Sequence, residues 1–82
     1  MEYVIAVYRS RNVAIRMYNH LSSNGAMCAL VSTPRAAGVG CGLSVKISKA
    51  DFLRWRGALV GETFVGFFLV KVTLHGNTVT RI

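Results

Sequence analysis

The apolar residues of this 82-residue chain change period in a fixed order, and that order constrains the fold more than any other feature. Glu2 to Tyr8 is β-branched and aromatic with apolar residues on both faces, as in a central strand. Val13, Met17 and Leu21 then recur every fourth residue, with Ala14 beside them. This predicts a helix from about Arg11 to Ser23. Ser10 can cap its start and Asn24-Gly25 can end it. Met27 to Ser32 reads as a second strand. Leu43, Val45 and Ile47 alternate with Ser44, Lys46 and Ser48, which predicts a strand with one dry and one wet face. Ser48-Lys49-Ala50-Asp51 is capping-box-like, with Asp in place of the usual Glu or Gln. It precedes a second helix that sets Phe52, Trp55 and Leu59 on one face, and Gly61 follows that helix. Phe64 to Leu74 is a long strand. His75-Gly76-Asn77 is a turn, after which Thr78 to Ile82 reads as a short fold-back arm.

The order β-α-β-β-α-β suits a single α+β domain over residues 1–82. The expected architecture is a ferredoxin-like split βαβ sandwich, an antiparallel sheet with both helices on one face and an extra C-terminal strand. Two helices cover only one face. Val65, Phe67 and Leu69, with Val4, Ala6 and Tyr8, are expected on the other. The chain is 52% hydrophobic and 16% charged. That much apolar surface on a small domain predicts a homo-oligomer joined through the uncovered face.

The formal net charge of +7 favours anionic partners. The basic residues are scattered as Arg9, Arg11, Arg16, Arg35, Lys46, Lys49, Arg54, Arg56, Lys71 and Arg81, without the stripe that marks a nucleic-acid face. No apolar run approaches the roughly 20 residues of a membrane-spanning helix, so no membrane partner is expected. Met1-Glu2-Tyr3 carries no basic region leading into an apolar run, so no signal peptide is expected either. Two cysteines without such a signal fit a reducing cytoplasm. Glu2, Asp51 and Glu62 are too few and too spread for paired-carboxylate catalysis. His20 and His75 lack companions at metal-ligand spacing, and no cysteine pair has zinc-site spacing, so no metal or cofactor is expected. Gly38 to Gly42 lacks the P-loop lysine and leads into a strand, which argues against a nucleotide cradle. Gly66 to Val70 echoes the aromatic RNA-stacking segment of RNA-recognition domains. It lies on the last strand rather than the third, where a hydrophobic core strand is the stronger reading.

The segment built for chemistry is Ser32-Thr33-Pro34-Arg35-Ala36-Ala37-Gly38-Val39-Gly40-Cys41-Gly42. Cys41 is the candidate nucleophilic or carrier thiol. Arg35 and the backbone amides of Gly40 and Gly42 are the candidate groups for stabilising its thiolate, the reactive form of cysteine. Pro34 and Gly38 shape the loop. The alternative for Cys41 is a small residue packed at the entry to a strand. Cys28 lies in an apolar run and reads as structural. A redox pair between the two would need Cα atoms within about 7 Å.

The opening strand, Tyr8-Arg9-Ser10 before the first helix, Asn24-Gly25, Thr33-Pro34-Arg35 and Cys41-Gly42-Leu43 together resemble a family of small bacterial selenium or sulfur carrier-like proteins. Related segments occur at the end of selenium-metabolism proteins that also carry a sulfur-transferase-like domain. The resemblance runs to about Leu74. It implies a carrier cysteine at Cys41 and a Pro-Arg pair at Pro34 and Arg35. It departs in the second helix, acidic in the family but carrying Arg54, Trp55 and Arg56 here, and in the extended tail after His75. The expected function is a carrier rather than a stand-alone enzyme. Cys41 would relay sulfur as a persulfide, or selenium in the equivalent form, between donor and acceptor proteins. The alternatives are a basic ferredoxin-like module binding RNA or an anionic ligand, and a structural oligomer-forming protein with a packed Cys41.

Overall fold

A computed structural model describes residues 1–38 and 42–82. The elements are β1 (Glu2–Tyr8), α1 (Arg11–Ser23), β2 (Cys28–Ser32), a 3-10 turn (Arg35–Ala37), β3 (Leu43–Ile47), α2 (Lys49–Leu59), β4 (Phe64–Thr73) and β5 (Gly76–Arg81). The strands form one antiparallel sheet in the order β2-β3-β1-β4-β5. This is the expected α+β ferredoxin-like arrangement, extended at one edge by the C-terminal strand.

Local chemistry sets the helix boundaries. The Ser10 hydroxyl accepts the Val13 N–H at 3.4 Å, and Ser48 accepts the Asp51 N–H at 3.2 Å. Each satisfies one of the orphan donors of a helix start. Asn24 and Gly25 close α1, and Gly25 has a φ of 85° that a side chain resists. Asp51 does not complete a reciprocal capping box. Its carboxylate accepts the Met27 N–H at 3.2 Å, tying the start of α2 to the approach to β2. Met27 is therefore outside the strand, and Cys28 opens β2 instead of lying in its middle.

Between helices and sheet lie Val4, Ala6, Tyr8, Val13, Ala14, Leu21, Val45, Ile47, Leu59 and Phe67. Phe52, Trp55, Phe64 and Leu69 pack against them. Tyr8 is fully buried at the centre. Its hydroxyl donates to the Leu59 carbonyl at the end of α2, one of the acceptors a helix leaves unpaired there. Phe67 meets Phe52 edge-on, with centroids 4.8 Å apart.

This reverses one expectation. Val4, Ala6, Tyr8, Phe67 and Leu69 face the helices rather than the uncovered side. Both strands are apolar on either side, so alternation alone does not choose the face, and a register shift in the β1–β4 pairing, where Val7 pairs with Gly66 and Tyr8 pairs with Phe64, changes the parity at the start of β4. Val65 bulges out, so Phe64 joins Phe67 and Leu69 on the helix side while Val65 joins Phe68 and Val70 on the other. The helix-free face is already covered by the chain itself. Ile5, Val7 and Val70 are fully buried there, packed by Tyr3, Val31, Ala37, Val65 and Val79. Lys46 lies 4.4 Å over the Tyr3 ring.

Two outcomes follow. Phe67→Asp places a charge in the aromatic cluster and should abolish cooperative thermal unfolding measured by circular dichroism, because Phe-to-small changes in cores already cost about 3–5 kcal/mol. A folded Phe67→Asp protein that only lowers the sedimentation coefficient would return Phe67 to an intersubunit face. For Tyr8, burial raises the phenol pKa above its ordinary value. The folded state then keeps a proton that unfolded tyrosine releases above about pH 10. Stability should be intact below that pH and fall as pH rises beyond it. Tyr8→Phe should cost about 1–3 kcal/mol at neutral pH, since the Leu59 carbonyl loses its donor. It should also flatten the alkaline fall, as read from urea midpoints at pH 8 and pH 11.

Candidate functional site

The connection between β2 and β3 carries the sequence-predicted site. Pro34 sits in the extended region and starts the 3-10 turn, in which Ala37 N–H donates to the Pro34 carbonyl at 3.0 Å. Gly38 ends the turn with a φ of 71°, its N–H donating to the Arg35 carbonyl at 2.9 Å. On the return side Gly42 has a φ of 90°, and its carbonyl accepts the Thr33 N–H at 2.9 Å. One pair further in, the Thr33 hydroxyl is 2.5 Å from the hydroxyl of Ser44, which is fully buried. These two contacts pinch the mouth of the loop, so the ladder between β2 and β3 continues one step past the strands.

Val39, Gly40 and Cys41 lie outside the described residues. The expected pairing of Arg35 with Cys41, and the part given to the Gly40 amide, fall there. Arg35 is exposed at the start of the 3-10 turn. The turn packs against β5 at the far edge of the sheet, and Ala37 joins the apolar cluster of the helix-free face.

The strand directions decide which charges share an end with this loop. β1, β2 and β5 run one way, and β3 and β4 run the other. The C-terminal ends of the first set therefore bring Arg9, Arg11, Arg35 and Arg81 to the end of the molecule that holds residues 33–38 and Gly42. At the opposite end Glu2 pairs with Lys49 at 2.7 Å and Lys71 at 3.5 Å, which lowers its pKa. Glu62 pairs with Arg16 at 3.5 Å. The sequence lists these arginines as scattered, and only the strand order gathers them.

Cys28 is placed for packing. It is half-buried, packs against the helix-side core, and its thiol lies 3.9 Å from the Tyr18 carbonyl. Burial raises its pKa, and the negative charge of Asp51 adds to the rise. Both effects deplete thiolate. A cleft of about 310 Å³ reaches Cys28 beside Met1, Tyr3, Met27 and Lys46, at the end of the sheet remote from the loop. Phe67 and Phe68 are both buried, so neither ring offers a stacking surface for a base. Among the described residues no three His, Cys, Asp or Glu side chains gather as a metal would require. Among the described residues no helix is long and apolar enough to cross a membrane.

Cys28 should resist iodoacetamide in the native protein and react once urea unfolds it, as followed by peptide mapping. Asp51→Asn removes the charge that helps raise its pKa and should speed its alkylation at fixed pH. Rapid native labelling of Cys28 would show that its packing does not protect it.

No curated protein and no solved structure matches the chain. A protein-family model does, over residues 2–63, from β1 through both helices to the approach to β4. That span contains the Thr33-Pro34-Arg35 turn, Cys41 and the pinched mouth of the loop, and it covers well over half of the sequence. The chain belongs to the family described as "Putative Se/S carrier protein-like".

Proposed function

We propose that the protein is a carrier of activated sulfur or selenium, with Cys41 as the carrying thiol. The observation that supports this most is family membership across the segment containing Cys41. The poor chemistry of Cys28 supports it further, because a half-buried thiol with a raised pKa is a weak nucleophile. In the loading step the Cys41 thiolate attacks the outer sulfur of a donor persulfide. A new S–S bond forms at Cys41, the donor's S–S bond breaks, and the donor leaves as its thiolate. The transferred sulfur keeps its oxidation level, so no outside oxidant or reductant enters. In the unloading step an acceptor nucleophile attacks the outer sulfur and Cys41 departs as thiolate. Arg35 and the amides of Gly40 and Gly42 serve to stabilise the anionic terminal atom by charge-assisted hydrogen bonds. The partners are the donor and acceptor proteins, and a reducing cytoplasm suits the chemistry.

Intact-mass analysis after incubation with a persulfide donor tests this. The wild type and Cys28→Ser should gain the mass of one sulfur atom, which a reducing thiol then removes. Cys41→Ser should gain nothing. Loading that survives Cys41→Ser and disappears in Cys28→Ser would overturn the assignment.

A further inference from the structure

Arg81 is held in place by three contacts although it lies at the surface. It pairs with Phe68 across the β4–β5 ladder, which puts its side chain on the helix-free face. Its guanidinium crosses β4 at Gly66, where an added Cβ would stand 3.0 Å from one of its nitrogens. Nη2 donates to the Val65 carbonyl at 2.8 Å. The Phe68 ring lies 5.8 Å from the guanidinium carbon. The bulge that turns Val65 outward and the bare α-carbon of Gly66 together make this seat.

That seat uses one of the five N–H donors of an arginine. Among the described residues no carboxylate lies within ion-pair distance of Arg81, since Glu2 and Glu62 pair elsewhere and Asp51 accepts from Met27. The 3-10 turn that begins with Arg35 packs against β5, and Ala37 joins the cluster containing Phe68. Arg35 is exposed and likewise has no ion-pair partner among the described residues.

We propose that Arg81 and Arg35 form a binding site for a free tetrahedral oxyanion of the phosphate class. Two guanidinium groups match the charge of a dianion. The planar fork of arginine matches two oxygens of one tetrahedron. Arg81 has already lost its rotamer freedom to Val65, Gly66 and Phe68, so binding orders little more. The apolar floor of Phe68, Val65 and Ala37 reduces the competition from water. Arg35 lies within the residues matched by the family, and Arg81 lies beyond them. The site goes beyond the carrier reading, with which it shares Arg35.

The test is titration of the full chain with inorganic phosphate at low ionic strength, following the arginine Nε–Hε signals by NMR, with chloride at matched ionic strength as the control. Phosphate should give saturable shifts at Arg81 and Arg35, and chloride should not. Cys41→Ser removes the thiolate that shares Arg35 and should bind phosphate at least as tightly as the wild type while losing sulfur loading, which separates this site from the carrier thiol. Arg81→Ala should weaken binding about tenfold or more, the scale of one lost charge-assisted bond. Gly66→Ala keeps every charge but crowds the guanidinium, which must shift by a few tenths of an ångström, and Arg81→Lys keeps the charge but loses the fork. Both should also weaken binding, whereas Lys71→Ala at the remote end should not. Non-saturating shifts shared with chloride would overturn the site. So would wild-type affinity in folded Gly66→Ala and Arg81→Lys proteins, because attraction would then be diffuse charge alone.

Discussion

The hydrogen bond from the Tyr8 hydroxyl to the Leu59 carbonyl joins the central strand to the end of the second helix. Tyr8 is the last residue of β1, which pairs with both β3 and β4. Its ring lies edge-on to Phe64 at 5.7 Å, where β4 begins. One buried side chain thus fixes where α2 stops and where β4 starts. A domain of this size buries only about 60% of its unfolded surface, so a buried polar group left without its partner is a large fraction of the available stability.

From that anchor the rest of the sheet follows, including the position of the loop. β3 lies against β1 on the side away from β4, and β2 forms the edge beyond it. The 3-10 turn after β2 packs against β5, and Ala37 joins the apolar cluster that contains Phe68 and Val70. Its two ends are pinned by Thr33, Gly42 and Ser44. The family-matched segment 2–63 contains every part of this support except β4 and β5. The arginines gather at the loop end because β1, β2 and β5 all finish there, while Lys49 and Lys71 lie beside Glu2 at the other.

The helices and β3 were legible in the sequence because each has one dominant period. Val13, Met17 and Leu21 mark α1, and Leu43, Val45 and Ile47 mark β3, and both sets pack as read. The faces of β1 and β4 were not legible. Both strands are apolar on either side, so alternation alone does not say which side meets the helices. The bulge at Val65 then changes the parity within β4, a shift of the kind that moves side chains to the opposite face. Asp51 looks like a cap because the motif is local, but its acceptor role toward Met27 spans 24 residues. Arg81 gave no local signal beyond a glycine inside β4, since its seat depends on a long-range strand pairing. At the candidate site, Pro34 and Gly38 were legible as loop-shaping residues because their backbone preferences are intrinsic. The partnership of Thr33, Gly42 and Ser44 was not.

The proposed carrier chemistry asks that Arg35 stabilise the thiolate of Cys41. Its most direct measurement is the pH dependence of the alkylation rate at Cys41, taken in a Cys28→Ser background for the wild-type loop and for Arg35→Ala. The account predicts a half-maximal rate below the roughly pH 8.5 of an ordinary cysteine, moving upward when Arg35 is removed. A Cys41 that reacts only after unfolding, or a profile at the ordinary value that Arg35→Ala leaves unchanged, would contradict it.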